Sequence, residues 1–312
     1  MPEAIKWRSK VLLAKIESSY GTDPSPTGGA NAILATNVTL SPMEGEDVSR
    51  DLEFPYLGAQ GSIPAGLRYV LSFSTELVGS GSAGVAPAWG PLARGCGLAE
   101  TIEADTSVAY TPISDAMESL TFHFWIGATK HVLKGARGTA EVQVNAQAIP
   151  RIRWTFTGLW AAPAEASPAT PTLTGFKKPV VASKANTPTF TVNGVSLVLR
   201  NFTLNLGCDV QPRLLIGREE IKIVDRAEEI TAQVEAVPLS TLDPFALAQG
   251  QTQIAVALTH GTAAGYIAAI SAPTCQVKRP AGYEHSQDVL EWPLRLTPLP
   301  SSGNDQFSIT LT

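Results

Sequence analysis

In Leu67-Arg-Tyr-Val-Leu-Ser-Phe-Ser-Thr-Glu-Leu-Val78 the odd positions are Leu67, Tyr69, Leu71, Phe73, Thr75 and Leu77, while Arg68, Ser72, Ser74 and Glu76 occupy even ones. Side chains of a strand alternate between its two faces, so this segment reads as a strand with one face on a core and one face wet. The same pattern recurs in Ser119–Ile126, with Leu120, Phe122, Phe124 and Ile126 inward, in Ala140–Ala146, and in Arg151–Thr157, with Ile152, Trp154 and Phe156 inward. Further along, Ile230–Ala236, Ile254–His260, Val289–Thr297 and Phe307–Leu311 alternate likewise. Alternation in nearly every segment predicts antiparallel sheets, and an all-β sandwich or barrel with a few short helices.

The chain reads as the same statement made twice. Asn37-Val-Thr-Leu40 is echoed by Asn201-Phe-Thr-Leu204. Each is followed by a polar stretch, an alternating strand (Leu67–Val78, Ile230–Ala236) and a short helix candidate (Ala88–Arg94, Asp243–Gln249). Asp243-Pro244 supplies an N-cap and a first-turn proline, and Gly250 ends the second helix. Around Arg200–Asn201 the apolar phase switches from odd to even positions, which predicts a bulge or a strand that changes sheet. Ser41–Gly66 reads as a long polar loop, and a loop of that length in a compact unit is usually functional. Ala161–Pro188, rich in Ala, Pro, Thr and Ser, reads as a connection. The expected division is 1–160, a linker over 161–188, and 189–312.

At 312 residues the chain has room for two cores, and its net charge of −5 excludes a strongly basic surface built to grip nucleic acid. Three widely spaced cysteines fit a reducing compartment. Met1–Glu17 is interrupted by Lys6, Arg8, Lys10 and Lys15 and lacks the apolar core of a signal peptide, which leads us to expect synthesis in a cytoplasm and no membrane partner.

The search for chemistry returns no active site. Gly79-Ser-Gly-Ser-Ala-Gly84 matches G-x-G-x-x-G, but Pro87 and Pro91 follow where a phosphate-binding helix would open, so a Gly/Ser turn is the better reading. His123 and His131 are placed to meet across a hairpin, yet no third ligand stands at a recognisable spacing, and surface histidines are the expectation. Carboxylates gather in Glu44–Glu53, Glu219-Glu220 and Glu228-Glu229, as solvated charge does more often than acid–base pairs do. Arg151 and Arg153 share one strand face. Asn37-Val-Thr39 and Asn201-Phe-Thr203 match a glycosylation acceptor without a secretory context. No catalytic, cofactor or metal residue is assigned.

Leu13-Ala-Lys-Ile-Glu-Ser-Ser-Tyr-Gly-Thr-Asp-Pro-Ser-Pro-Thr27, taken with Asn31-Ala-Ile-Leu34, Asn37–Leu40 and the Glu44–Arg50 stretch, resembles the major tail tube proteins of long-tailed, non-contractile bacteriophages. Gly79–Gly84 with Ala86-Pro87, Leu92-Ala-Arg-Gly-Cys-Gly97, Gly135-Ala-Arg-Gly138 and Trp154-Thr-Phe-Thr-Gly158 continue the likeness. So do Val224-Asp-Arg226 and Thr259-His-Gly261 with Ala272-Pro273. The resemblance implies tandem tube-like β-sandwich or half-barrel domains that assemble into stacked rings, a virion location, and a hollow lumen through which genomic DNA passes without specific binding. It also implies contact with copies of itself, a tape measure protein, a tail terminator and distal tail or baseplate proteins. A trimer of duplicated units and a hexamer carrying a decoration domain both remain open, with the Asp243–Gln249 helix and the echo of Asn37–Leu40 favouring the trimer. On this reading Glu44, Glu46, Asp47, Arg50, Asp51 and Glu53 belong to a ring-stacking loop. Arg68, Ser72, Ser74, Glu76, Thr231, Gln233 and Glu235 belong to inner-barrel strands.

The competing reading is a carbohydrate-binding or hydrolytic β-sandwich, with Trp7, Trp89, Trp125, Trp154, Trp160 and Trp292 as sugar platforms. Trp154 and Trp292 lie on apolar faces and read as core, which leaves Trp125, opposite the core side, as the tryptophan to test.

Overall fold

The computed structural model describes residues 4–312. The first half of the chain contains β1 (Lys10–Ile16), α1 (Gly28–Asn31), β2 (Thr36–Ser49), β3 (Ser62–Glu76), α2 (Gly90–Gly95), β4 (Leu98–Glu103), β5 (Ser107–Pro112), β6 (Leu120–Ile126), β7 (Thr129–Asn145), β8 (Arg151–Leu159) and β9 (Ala164–Glu165). Next come β10 (Thr189–Val192), β11 (Val195–Ser196), β12 (Leu199–Asn205), β13 (Cys208–Leu215), β14 (Arg218–Arg226), β15 (Glu229–Glu235) and α3 (Pro244–Gln249). β16 (Gln253–His260), β17 (Ala268–Val277), β18 (Glu284–Ser286), β19 (Val289–Pro298) and β20 (Ser308–Leu311) complete it. The fold is all-β and antiparallel, as the alternation required.

One pairing scheme occurs twice. β1 pairs β6, β6 pairs β7, β7 pairs β8, β8 pairs β3 and β3 pairs β2. Correspondingly, β10 pairs β16, β16 pairs β17, β17 pairs β19, β19 pairs β15 and β15 pairs β12. The registers agree as well. Thr39 and Leu40 face Ser72 and Leu71, as Thr203 and Leu204 face Thr231 and Ile230. The weak sequence echo therefore marks equivalent places in two strand pairs.

The core follows from the inward faces. In the first half Tyr69, Leu71 and Phe73 of β3 and Trp154 and Phe156 of β8 pack against Phe122 and Phe124 of β6, all nearly inaccessible to solvent. The Phe122 and Phe156 rings lie 4.8 Å apart. β7 serves both layers by bending between Lys134 and Arg137, where its register against β8 shifts. Thr75, the polar member of the inward series, accepts the Trp154 indole N–H at 2.9 Å, which satisfies a donor that burial would otherwise strand. α3 begins as its sequence dictates: the Asp243 carboxylate accepts from the Phe245 and Ala246 amides at 2.9 Å. The bulge expected at Arg200 is present, because Leu199 faces Val234 and Asn201 faces Gln233.

Three expectations are corrected and a fourth is extended. Ser41–Gly66 is not a loop through most of its length. β2 reaches Ser49 and β3 begins at Ser62, so the segment is a long hairpin with a tip over 50–61. Register shifts at Thr36/Thr39, Ser41/Glu44 and Glu44/Glu46 break its alternation, which hides the strand from a period-2 reading. β6 is buried on both faces, because the 161–188 connection lies over its second side. There Trp125 sits in a small cluster with Leu13 and Ala32, flanked by Ala169 and Leu173. Three of the four histidines are not surface groups. His123, His131 and His260 are buried, and His123 faces Val132 while His131 faces Phe124, so the two rings take opposite faces of the ladder. Finally, Gly79–Gly84 is the expected turn and is also a packing element. A Cβ on Gly79 would stand 2.2 Å from the Gly265 carbonyl oxygen, and the Gly81 amide donates to that same oxygen at 3.0 Å. The glycines let two turns from distant parts of the chain touch backbone to backbone.

Candidate assembly interface

β12 pairs with β15 on one side and with β7 on the other. Through that joint the strands β2, β3, β8, β7, β12, β15, β19 and β18 form one continuous antiparallel run. At the joint Phe202 faces Val144 and Leu204 faces Val142, all four buried, while Thr203 faces Gln143 and Asn205 faces Glu141 on the opposite side. β20 ties the halves a second time by pairing both β17 and β5. Among the described residues, β2 pairs only with β3 and β18 only with β19, so the run ends in an open edge at each extreme.

The polar face of this run gathers the residues singled out in the sequence. Arg68, Ser72, Ser74 and Glu76 stand on it from β3, and Thr231, Gln233 and Glu235 from β15. A row of facing residues links the two sets: Glu76 to Arg151, Arg151 to Gln143, Gln143 to Thr203, and Thr203 to Thr231. Ser72 bonds Thr155 at 3.1 Å, and Ser74 is nearly buried between Thr36 and Arg153.

Every arginine on this face has a carboxylate opposite or beside it. Arg68 faces Glu44, Arg151 faces Glu76 and Arg153 faces Glu141. Arg295 and Lys278 both reach Glu229, at 2.8 and 3.0 Å. The Arg200 bulge lets that guanidinium donate to Glu291 at 2.6 Å, and Gln233 donates to the same carboxylate. The Arg200 bonds hold the Glu291 carboxyl below the usual range. At Glu229 desolvation pushes the pKa up, but the bonds from Lys278 and Arg295 outweigh it and the net shift is downward. The sequence pointed to Arg151 and Arg153. Their partners needed the register, which only the fold supplies.

The second feature is a pair of projecting hairpins. In β2–β3, Glu44, Glu46 and Asp47 lie on the outgoing arm, and Arg50, Asp51 and Glu53 lie in the tip. Interleaved with them are exposed Met43, Val48, Leu52, Phe54, Tyr56, Leu57 and Ile63, with the Phe54 and Tyr56 rings stacked at 5.3 Å. That much exposed apolar surface is the mark of a contact site rather than of a solvated charge cluster. β13 and β14 make a shorter hairpin at the matching place in the second half, tipped by exposed Leu215 and Ile216. Sequence reading missed it, because only Cys208, Glu220 and Ile221 of its strands are buried, too few to impose alternation. Its middle is fixed to the first half: Arg137 donates to Glu220 at 3.1 Å and to the Ile221 carbonyl at 2.8 Å, and the Ile221 amide donates to Tyr20 Oη.

No group of three or more metal-ligating side chains occurs among the described residues. No helix is long and apolar enough to cross a membrane. Trp125 is 4% exposed and offers no sugar platform. A family model described as phage tail tube protein matches residues 7–306. The chain belongs to the phage tail tube protein family. That membership gives it a structural role in the tail of a phage virion, self-assembly into a tube and association with other tail proteins. The two open sheet edges and the apolar hairpins are thus features of a tail tube protein, for which surfaces left unpaired in one copy are expected. No curated protein matches the chain.

Proposed function

We propose that this tail tube protein carries two tube units, 1–160 and 189–312, joined by 161–188, and that three chains close into a pseudo-six-fold ring of a non-contractile tail. The observation that carries the reading is the β7–β12 joint. It already fuses two equivalent strand sets edge to edge within one chain, and it leaves equivalent edges free at both ends. An open edge is an aggregation hazard unless it is closed, and annular closure removes it. The contact between chains is heterologous, so the set of copies closes only at a fixed rotation.

The polar face of the run lines the lumen in this reading. Its arginines are matched by carboxylates, which keeps it from holding DNA phosphates during ejection, since phosphate attraction otherwise dominates affinity. Rings stack through the β2–β3 hairpin, with Glu44, Glu46, Asp47, Arg50, Asp51 and Glu53 at or near the contact, and the β13–β14 hairpin contributes from the second unit. A tape measure protein inside the tube, a terminator above it and distal tail proteins below it are the partners this arrangement requires.

The test is negative-stain microscopy of concentrated recombinant protein. Hollow rods with a regular axial repeat, and rings whose mass is that of three chains, are the expected result. A protein that stays monomeric at every concentration and in the presence of a tail initiator complex overturns the proposal.

A further inference from the structure

The internal joint specifies how the two open edges meet. β18 continues the line of β17 after a break at 279–283, because the Lys278 amide still donates to the Arg295 carbonyl and Glu284 faces Glu291. Together β17 and β18 occupy the place that β7 holds in the first half. Glu76 faces Arg151 and Arg151 faces Gln143, just as Glu235 faces Glu291 and Glu291 faces Glu284. Glu284 is therefore the counterpart of Gln143. On the other edge, Thr39 is the counterpart of Thr203, because their partners Ser72 and Thr231 hold matching registers. At the internal joint Thr203 faces Gln143.

We infer that β2 of one copy pairs antiparallel with β18 of the next, extended back over the 282–283 segment, with Thr39 directly opposite Glu284. Val38 then lies opposite His285, and Leu40 opposite Tyr283. This rests on the proposed ring and adds the register of its seam.

Burial adds a second line of support for the pairing of these two edges. The counterparts of Val38, Leu40, Tyr283 and His285 at the internal joint are Phe202, Leu204, Val142 and Val144, all 2% exposed or less. At the open edges Val38 and Leu40 are only half-buried, Tyr283 is 69% exposed and His285 is exposed. Apolar and aromatic side chains stand uncovered at the positions that a neighbouring strand covers inside the chain. A Tyr with most of its ring accessible is a strong anchor for such a contact. Lys10 Nζ donates to the Val38 carbonyl at 3.1 Å. A lysine at an open edge discourages indiscriminate pairing, and the entering strand has to share or replace that bond.

Disulfide trapping in the full-length chain reads the register. Directly opposed residues of an antiparallel pair have Cα atoms about 4.5–5.5 Å apart, within disulfide range, whereas diagonal neighbours stand about 7–8 Å apart. Cys96, Cys208 and Cys275 are buried free thiols, so background cross-linking is low. Assembled Thr39→Cys/Glu284→Cys protein, oxidised and run on a non-reducing denaturing gel, should give covalent dimer and trimer at least tenfold faster than Thr39→Cys/Ser286→Cys or Thr39→Cys/Gly282→Cys. A mixture of the two single variants should stop at dimer. Faster trapping by either displaced pair overturns the register. So does monomeric T39C/E284C inside rings that microscopy shows to be intact, and in both cases the ring itself survives. Species larger than trimer overturn three-chain closure while keeping the strand match. If unmodified protein makes no rings at all, the proposed assembly and this seam fall together.

Discussion

Arg137 on β7 and Glu220 on β14 form a 3.1 Å ion pair that spans the two halves of the chain, and both side chains are largely buried. The same guanidinium donates to the Met117, Glu118 and Ile221 carbonyls. Removing one member of a buried, hydrogen-bonded pair strands the other and typically costs about 3 kcal/mol. Arg137→Ala should lower stability by about that amount, measured by urea unfolding, and should open the 208–226 hairpin to limited proteolysis. Arg137→Lys should fall between, since it keeps the charge but loses the fork.

The glycine turn makes a sharper claim. Gly79→Ala places a methyl group 2.2 Å from the Gly265 carbonyl oxygen, so one of the two turns has to move. A loss of about 1–3 kcal/mol of unfolding free energy, read as a lower urea midpoint, is expected. Gly29→Ala, which meets nothing within 4 Å, is the control. Equal stability of the two variants would refute the packing account.

Acid should loosen the fold before the carboxylates titrate. Burial pushes the pKa values of His123, His131 and His260 below their ordinary 6.5, although Asp23 partly opposes the shift at His123. A folded-state pKa below the unfolded one means that the unfolded chain binds more protons in the window between them. The stability these histidines contribute is therefore full above about pH 6.5 and declines as pH falls below it. Urea midpoints measured from pH 8 to pH 5 should fall, and His260→Gln should flatten part of that slope. A midpoint unchanged over this range would show that the three rings protonate freely in the fold.

The long hairpin gives the assembly prediction. Replacing 50–61 by Asn-Gly joins Ser49 to Ser62, already facing residues, through a tight turn suited to two-residue hairpins. The variant should keep its unfolding transition and form rings but no long tubes, as microscopy and sedimentation would report. Tubes of ordinary length would remove the stacking role from the tip.

How far the sequence could be read depends on where burial is one-sided. β3, β8 and β15 alternate cleanly because one face meets the core and the other does not, and their inward residues were legible, although β3 starts at Ser62 rather than at Leu67. The Asp243 cap and the Arg200 bulge were legible for a local reason, as each is written in adjacent residues. β6 misled, because its second face is covered by a connection distant in sequence, so Trp125 and His123 looked exposed. The β2–β3 and β13–β14 hairpins were obscured for the opposite reason, since the projecting part of β2–β3 is open on both faces and β13–β14 is buried only at Cys208, Glu220 and Ile221, so little enforces a period. The edge residues Val38, Leu40, Tyr283 and His285 carry no signal of their own. Their meaning emerges from comparison with Phe202, Leu204, Val142 and Val144 across the repeat.

The β7–β12 joint also bears on how quickly an annulus can be built. In a three-chain ring, alternate seams are made while each polypeptide folds, at a local concentration fixed by the tether rather than by the cell. Only the remaining seams wait on diffusion, and only they incur the loss of rotational and translational freedom. In the proposed ring, carrying two units on one chain would shift part of a slow, concentration-dependent assembly into unimolecular folding, and would leave the two kinds of seam free to differ in sequence.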